Sequence, residues 1–258
     1  KQYKIINLCQ GKVHDLALRV TLIGAVLVSA QALAWWNNDM TLQDTKQLTL
    51  DTQSLTALNV EVGAGFLTIV GTETDSITVK AEIYQYEAHK NYCLNLAKQG
   101  TAAKLTANNC NNSNDQQTRI DLTVSIPKAF TLDITDGSGA IAIENTATTT
   151  IHDGSGEIQV RNIAGDLDIE DGSGAIEARN ITGNVNIHDG SGSIELLNSE
   201  QNVKISDGSG SIYVKNTQGD VSISDGSGGI TVDKAASFTL LSDGSGSVTV
   251  NNVPKQNL

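Results

Sequence analysis

Large aromatic side chains are scarce in this chain: three Phe, two Trp and five Tyr in 258 residues. A conventional globular core leans on such rings, so their scarcity argues against one. The three cysteines include no C-x-x-C pair, which argues against a redox or zinc-type site. Basic residues are outnumbered 17 to 29, giving a net charge of −12. A chain this acidic repels nucleic acid and anionic membrane surfaces, while cations and neutral or basic partners remain open to it.

Glycine is abundant by contrast, with 24 residues, and much of it sits in one tetrapeptide. D-G-S-G begins at Asp136, Asp153, Asp171, Asp189, Asp207, Asp225 and Asp243, at a spacing of 17 residues once and then 18 five times. Aliphatic residues keep period two on either side. Val203 and Ile205 precede Asp207 and Ile212 and Val214 follow it; Leu167, Ile169, Ile176 and Ala178 stand likewise around Asp171. Such alternation marks short strands with one buried face. Each unit therefore reads as two strands joined by two corners, one Gly-Ser-Gly and the other N-x-x-G, as in Asn162–Gly165 and Asn180–Gly183.

One unit buries too few aliphatic groups to offset the backbone entropy of ordering it, so it needs neighbours above and below. Identical units that need neighbours form a solenoid. The expected fold is an all-β, single-stranded, right-handed parallel β-solenoid of about 18 residues per coil, right-handed by the crossover rule. Every coil should lie on the previous one. Residues 131–258 form the regular part. Residues 35–130 read as irregular capping coils; Leu58–Gly71 is a weakened repeat with Val62 in the Asp slot, and an Asn/Gln-rich insertion carries Cys93 and Cys110.

Residues 1–34 read as an export signal peptide. Lys1, Lys4, Lys12 and Arg19 precede the apolar run Val20–Ala30, and Ala32-Leu33-Ala34 supplies small residues for cleavage before Trp35. The alternative is an uncleaved membrane anchor, for which the run is short; membrane contact is expected only through this segment. Cys9 lies before the apolar run, the wrong place for a lipidation cysteine. Without the leader, 13 basic and 28 acidic residues remain. In an exported protein the two remaining cysteines, Cys93 and Cys110, most simply form a disulfide.

Strand parity places each D-G-S-G aspartate inward, where it can accept turn amides as in an Asx-turn. The same count points Asn145, Asn162, Asn180, Asn198, Asn216 and Asn252 inward at the other corner, as a hydrogen-bonded ladder broken at Lys234. Stacked carboxylates repel one another, and a calcium-binding column of Asp136, Asp153, Asp171, Asp189, Asp207, Asp225 and Asp243 is the alternative to a purely structural corner. The calcium β-roll repeat carries Asp where this chain has Ile176, Ile194 and Ile212, which weakens that reading. H-D-G-S-G, at His152–Gly156 and His188–Gly192, gathers triad residue types. Neighbouring strand residues point to opposite faces, however, so His152 and Asp153 cannot meet as base and orienting acid. The outward acids Asp133, Asp168, Glu170, Glu177 and Glu195 are interleaved with Arg161, Arg179, Lys204 and Lys215. No catalytic residue is assigned.

Leu122–Ile143 followed by iterated Gly219–Val232 segments resembles the bacterial adhesin-type family of β-strand repeat proteins DUF4097. The resemblance spans roughly residues 50–253 and implies a β-solenoid fold. The expected function is that of an exported, non-enzymatic β-solenoid, periplasmic or on the cell surface. It would act as an adhesin-type, binding or scaffold protein of the envelope, with an envelope protein or glycan as partner and no cofactor. A calcium-loaded β-roll-like protein is the alternative, and a polysaccharide-active β-helix enzyme a weaker one.

Overall fold

The computed structural model describes residues 39–110 and 117–258; the signal-peptide reading of residues 1–34 lies outside the described residues. The irregular first half holds β1 (Thr41–Asp51), β2 (Ala57–Val62), β3 (Leu67–Thr72), β4 (Ser76–Gln85), β5 (Cys93–Gln99), β6 (Ala102–Asn108) and β7 (Thr118–Pro127). The repeats supply β8 (Thr131–Asp136), β9 (Ile141–Thr146), β10 (Thr149–Asp153), β11 (Ile158–Ile163), β12 (Leu167–Asp171), β13 (Gly174–Ile181), β14 (Val185–Asp189) and β15 (Gly192–Ser199). They continue with β16 (Val203–Asp207), β17 (Gly210–Thr217), β18 (Asp220–Asp225), β19 (Gly228–Asp233), β20 (Ser237–Asp243), β21 (Gly246–Asn251) and β22 (Gln256–Asn257).

From β8 onward the chain is the expected β-solenoid: even-numbered strands stack in one sheet and odd-numbered strands in the other, all parallel. The register puts like on like, with Ile158, Ile176, Ile194, Ile212 and Ile230 in one column and Ile151, Ile169, Ile187, Ile205 and Ile223 in the facing one. All ten are at most 1% exposed. Two thin sheets thus bury one aliphatic slab between them, and large rings are not needed to fill it.

Two expectations need correction. Sequential stacking fails before β8: the β2–β3 coil lies between β8–β9 and β6–β7, although β6 and β7 come later in the chain. Outside these, β1, β4 and β5 pair antiparallel. Antiparallel strands need only short turns, whereas each parallel step needs a crossover. These strands therefore end the parallel stack without demanding another full coil. A disulfide joins Cys93, at the start of β5, to Cys110, just beyond β6, with 5.2 Å between their Cα atoms. Closing a loop of 17 residues contributes about 3 kcal/mol in the chain-entropy model.

The second correction concerns the Asn corner. Asn145, Asn162, Asn180, Asn198, Asn216 and Asn252 adopt φ between 55° and 62°. A left-handed residue interrupts the two-residue alternation, so the asparagines turn out to solvent and the next residue turns in. Ile163 and Ile181 are fully buried there, and Ser199 is 1% exposed. Asn tolerates this conformation better than most residues, which accounts for its recurrence.

The Gly-Ser-Gly corner has a harder constraint. A Cβ on Gly190 would stand 2.4 Å from the carbonyl oxygen of Gly172, and one on Gly192 (φ +150°) would stand 1.5 Å from that of Gly174. Both contacts are with backbone of the preceding coil, which cannot move aside. Gly100, in the β5–β6 turn, also has positive φ, but a Cβ there would meet nothing within 4 Å. Gly192→Ala is therefore expected to destabilise by at least about 3 kcal/mol, and Gly100→Ala by only about 1 kcal/mol. Urea denaturation of the two variants checks the contrast; equal losses would remove the packing explanation.

Candidate functional site

At the D-G-S-G corners of Asp153, Asp171, Asp189, Asp207 and Asp225 the three amides after the aspartate have different destinations, as the Asp171 corner shows. The Gly172 N–H donates down to the Asp153 carbonyl at 3.1 Å, and the Gly174 N–H donates up to the Ser191 carbonyl at 3.0 Å. Only the Ser173 amide is left, and it donates to Oδ1 of Asp171 at 3.2 Å. The same side-chain bond recurs at Asp136, Asp153, Asp189, Asp207 and Asp225. The aspartate thus satisfies the one donor that the coil-to-coil ladder cannot reach.

That leaves the second oxygen. Asp136, Asp153, Asp171, Asp189, Asp207 and Asp225 are each at most 7% exposed, and their Oδ2 atoms are buried without a partner. Successive aspartates face each other in register, and Asp243 is the exposed last member. Burial pushes all six carboxyls above the ordinary carboxylate range, with the neighbouring carboxylates adding to it at several rungs. Asp153 and Asp189 are raised to about 6. A carboxylate buried with one oxygen unpartnered binds its proton readily, and the charges one coil away reinforce this. Among the described residues no group of three or more His, Cys, Asp or Glu side chains is placed to hold a metal ion.

At the opposite corner the outward asparagines form their own ladder. Asn162, Asn180, Asn198 and Asn216 each donate from Nδ2 to Oδ1 of the asparagine one coil earlier, at 2.8–3.1 Å. Lys234 breaks the run, and Asn252 donates instead to Asp233 at 2.7 Å. His152 points out while Asp153 points in. The histidine's Nδ1 lies 3.0 Å from Glu170 Oε2 on the next coil, not against a serine.

The other sheet's outer face carries an ion-pair network that composition alone did not arrange. Arg161 Nη2 reaches Glu177 Oε1 at 3.1 Å, while Arg179 reaches Glu177 at 2.6 Å and Glu195 at 2.9 Å. In-register stacking is the signal that finds it, since Arg161 pairs with Arg179 and Glu177 with Glu195 on adjacent strands.

The pH behaviour of the aspartate ladder follows from its raised values. Each group binds its proton more tightly folded than unfolded, so the resulting stability is complete below the ordinary value of 3.8 and is lost as pH rises through about 6. The melting temperature is expected to fall between about pH 4.5 and 7.5, opposite to ordinary acid denaturation. Asp189→Asn keeps the acceptor for Ser191 and removes the buried charge. It should stabilise the protein by about 1 kcal/mol at neutral pH and flatten the profile. Calorimetry across this range checks both; a destabilised Asn variant would disprove the buried-charge explanation.

Several solved structures are similar to this chain. A putative lipid binding protein from Parabacteroides distasonis aligns at 14% identity with a TM-score of 0.48, over 83% of this chain and 97% of that one. A putative adhesin from the same organism aligns at 10% identity and a TM-score of 0.45, over 83% and 97%. One from Parabacteroides merdae aligns at 12% and 0.41, over 86% and 97%. Among curated proteins none matches. The family model described as Toastrack DUF4097 matches residues 40–258, and the chain belongs to that family.

Proposed function

We propose that this protein is an exported, non-enzymatic solenoid of the bacterial envelope that binds a partner, in the manner of an adhesin or scaffold, through a long outer sheet face. The observation that carries the reading is the Arg161–Glu177–Arg179–Glu195 network on β11, β13 and β15. Eleven strands in one sheet span about 50 Å at the usual strand spacing. Such a face is rigid because its inner strands are hydrogen-bonded on both sides, so charged columns on it are held ready rather than ordered on binding. Exposed ion pairs of this kind add only about 0–1 kcal/mol to folding, which leaves recognition as the role that suits them.

Among the described residues the layout does not favour catalysis. His152 and Asp153 lie on opposite faces, Glu177 and Glu195 are engaged by arginines, and Glu170 by His152. An envelope glycan or protein with interleaved charges is the partner this face suits.

Cell fractionation should recover the protein with the envelope or exported fraction, and purified protein should bind isolated envelope material saturably. Arg161→Glu with Arg179→Glu should weaken that binding several-fold while leaving the melting temperature almost unchanged, since the pairs contribute little to folding. Calcium and chelator should give the same melting temperature. A cytosolic location, or polysaccharide hydrolysis that stops with Glu177→Gln, would overturn the proposal.

A further inference from the structure

The inward face of β1 changes character halfway along. Leu50, Leu48, Lys46 and Asp44 pair in turn with Ile77, Val79, Ala81 and Ile83 of β4, all four of which are buried. Leu50 and Leu48 pack on the core as half-buried residues, but Lys46 and Asp44 are 48% and 44% exposed. A cleft therefore opens here above a core that is itself sealed. Across the opening stand Leu94 of β5 and the 86–92 connection, held beside the Cys93–Cys110 bridge.

The opening is a cleft of about 560 Å³, within the range of small-ligand sites. Its apolar walls are Leu48, Ile83, Ala88, Tyr92 and Leu94. Ile83 lies at its base but is itself sealed from solvent, so the accessible apolar surface is that of Leu48, Ala88, Tyr92 and Leu94. Asp44, Lys46, His89 and Lys90 also line it. The charges do not balance. Asp44 is held by Lys46 at 2.6 Å and by the Thr45 amide at 2.8 Å, and this pairing keeps its carboxyl below the ordinary range. Lys90 has no ion-pair partner among the described residues. His89 accepts the Asn91 amide at Nδ1, 3.3 Å away, which leaves its Nε2 as the N–H donor.

We infer that this cleft binds a single-chain anionic amphiphile, with its carboxylate at Lys90 and its hydrocarbon tail against Leu48, Tyr92 and Leu94. The Leu48, Tyr92 and Leu94 side of the cleft suits a hydrocarbon chain, while Gln43, Gln85 and the Asp44–Lys46 pair line the rest. The uncompensated Lys90 selects an anion against a cationic amphiphile. A second copy of the chain is the other candidate occupant, and the inward-pointing Asp44 and Lys46 oppose it, since charges so placed on an edge strand discourage strand addition. The inference rests on no part of the sheet-face reading.

The full chain is titrated with dansylundecanoic acid, followed by fluorescence. Saturable one-to-one binding is expected, displaced by decanoate better than by decanol or by a decyl ammonium salt. Affinity for unlabelled acids should rise about fourfold per methylene until the cleft is full. Lys90→Glu should weaken binding about tenfold or more by removing one charge-assisted contact and adding repulsion. Ala88→Trp should fill the cleft and abolish binding, with an unchanged melting curve to show that the fold survives. The inference fails if the wild type shows no saturable binding, or if neither variant alters it. It also fails if ultracentrifugation reveals self-association that Ala88→Trp abolishes, which would give the cleft to a second copy.

Discussion

Everything regular in this molecule depends on how closely one turn of backbone lies on the last at the Gly-Ser-Gly corner. The two glycine columns stack with carbonyl oxygens filling the places where side chains would begin. Any larger residue would lift one coil off the next and break the hydrogen bonds of both sheets along that rung. The aspartate and serine are consequences of this packing. With both glycine amides committed to neighbouring coils, the serine amide needs an acceptor from its own coil, and the aspartate supplies it.

The two corners resolve the same need for a turn in opposite electrostatic ways. At one, a neutral amide ladder runs along the outside, where water and the next asparagine both serve each side chain. At the other, ionisable groups are folded inside with one oxygen unpartnered. A neutral column there would be cheaper to bury, but an Asn side chain carries donors of its own that need acceptors in turn. A carboxylate meets the serine amide and brings no donor of its own to satisfy.

The solenoid was legible from the D-G-S-G interval and the aliphatic alternation, because both periods follow from packing that repeats every coil. The inward aspartates were legible for the same reason. Parity failed at the asparagines because a single left-handed residue shifts the phase by one, and its signature is only that Asn recurs there. The order of the early coils was not legible at all. Pairing β2 with β8 across the intervening hairpins depends on contacts far apart in sequence, and no repeat marks them. The cleft was hidden likewise, since Leu48, Ile83 and Leu94 come from three strands brought together only by that detour.

The irregularities near Lys234 show where this architecture tolerates a change in length. The corner from Lys234 to Phe238 is one residue shorter than its equivalent from Asn216 to Val221, and β20 makes up the loss with a bulge that leaves Leu241 outside, 56% exposed. The first 17-residue interval is short at the same kind of corner, between Asn145 and Thr149. Among the D-G-S-G laps, changes in length thus fall on the asparagine side, while the glycine side keeps its length. Along the regular laps the solenoid has a permissive edge and a restrictive one, and grafted loops or tags belong on the first.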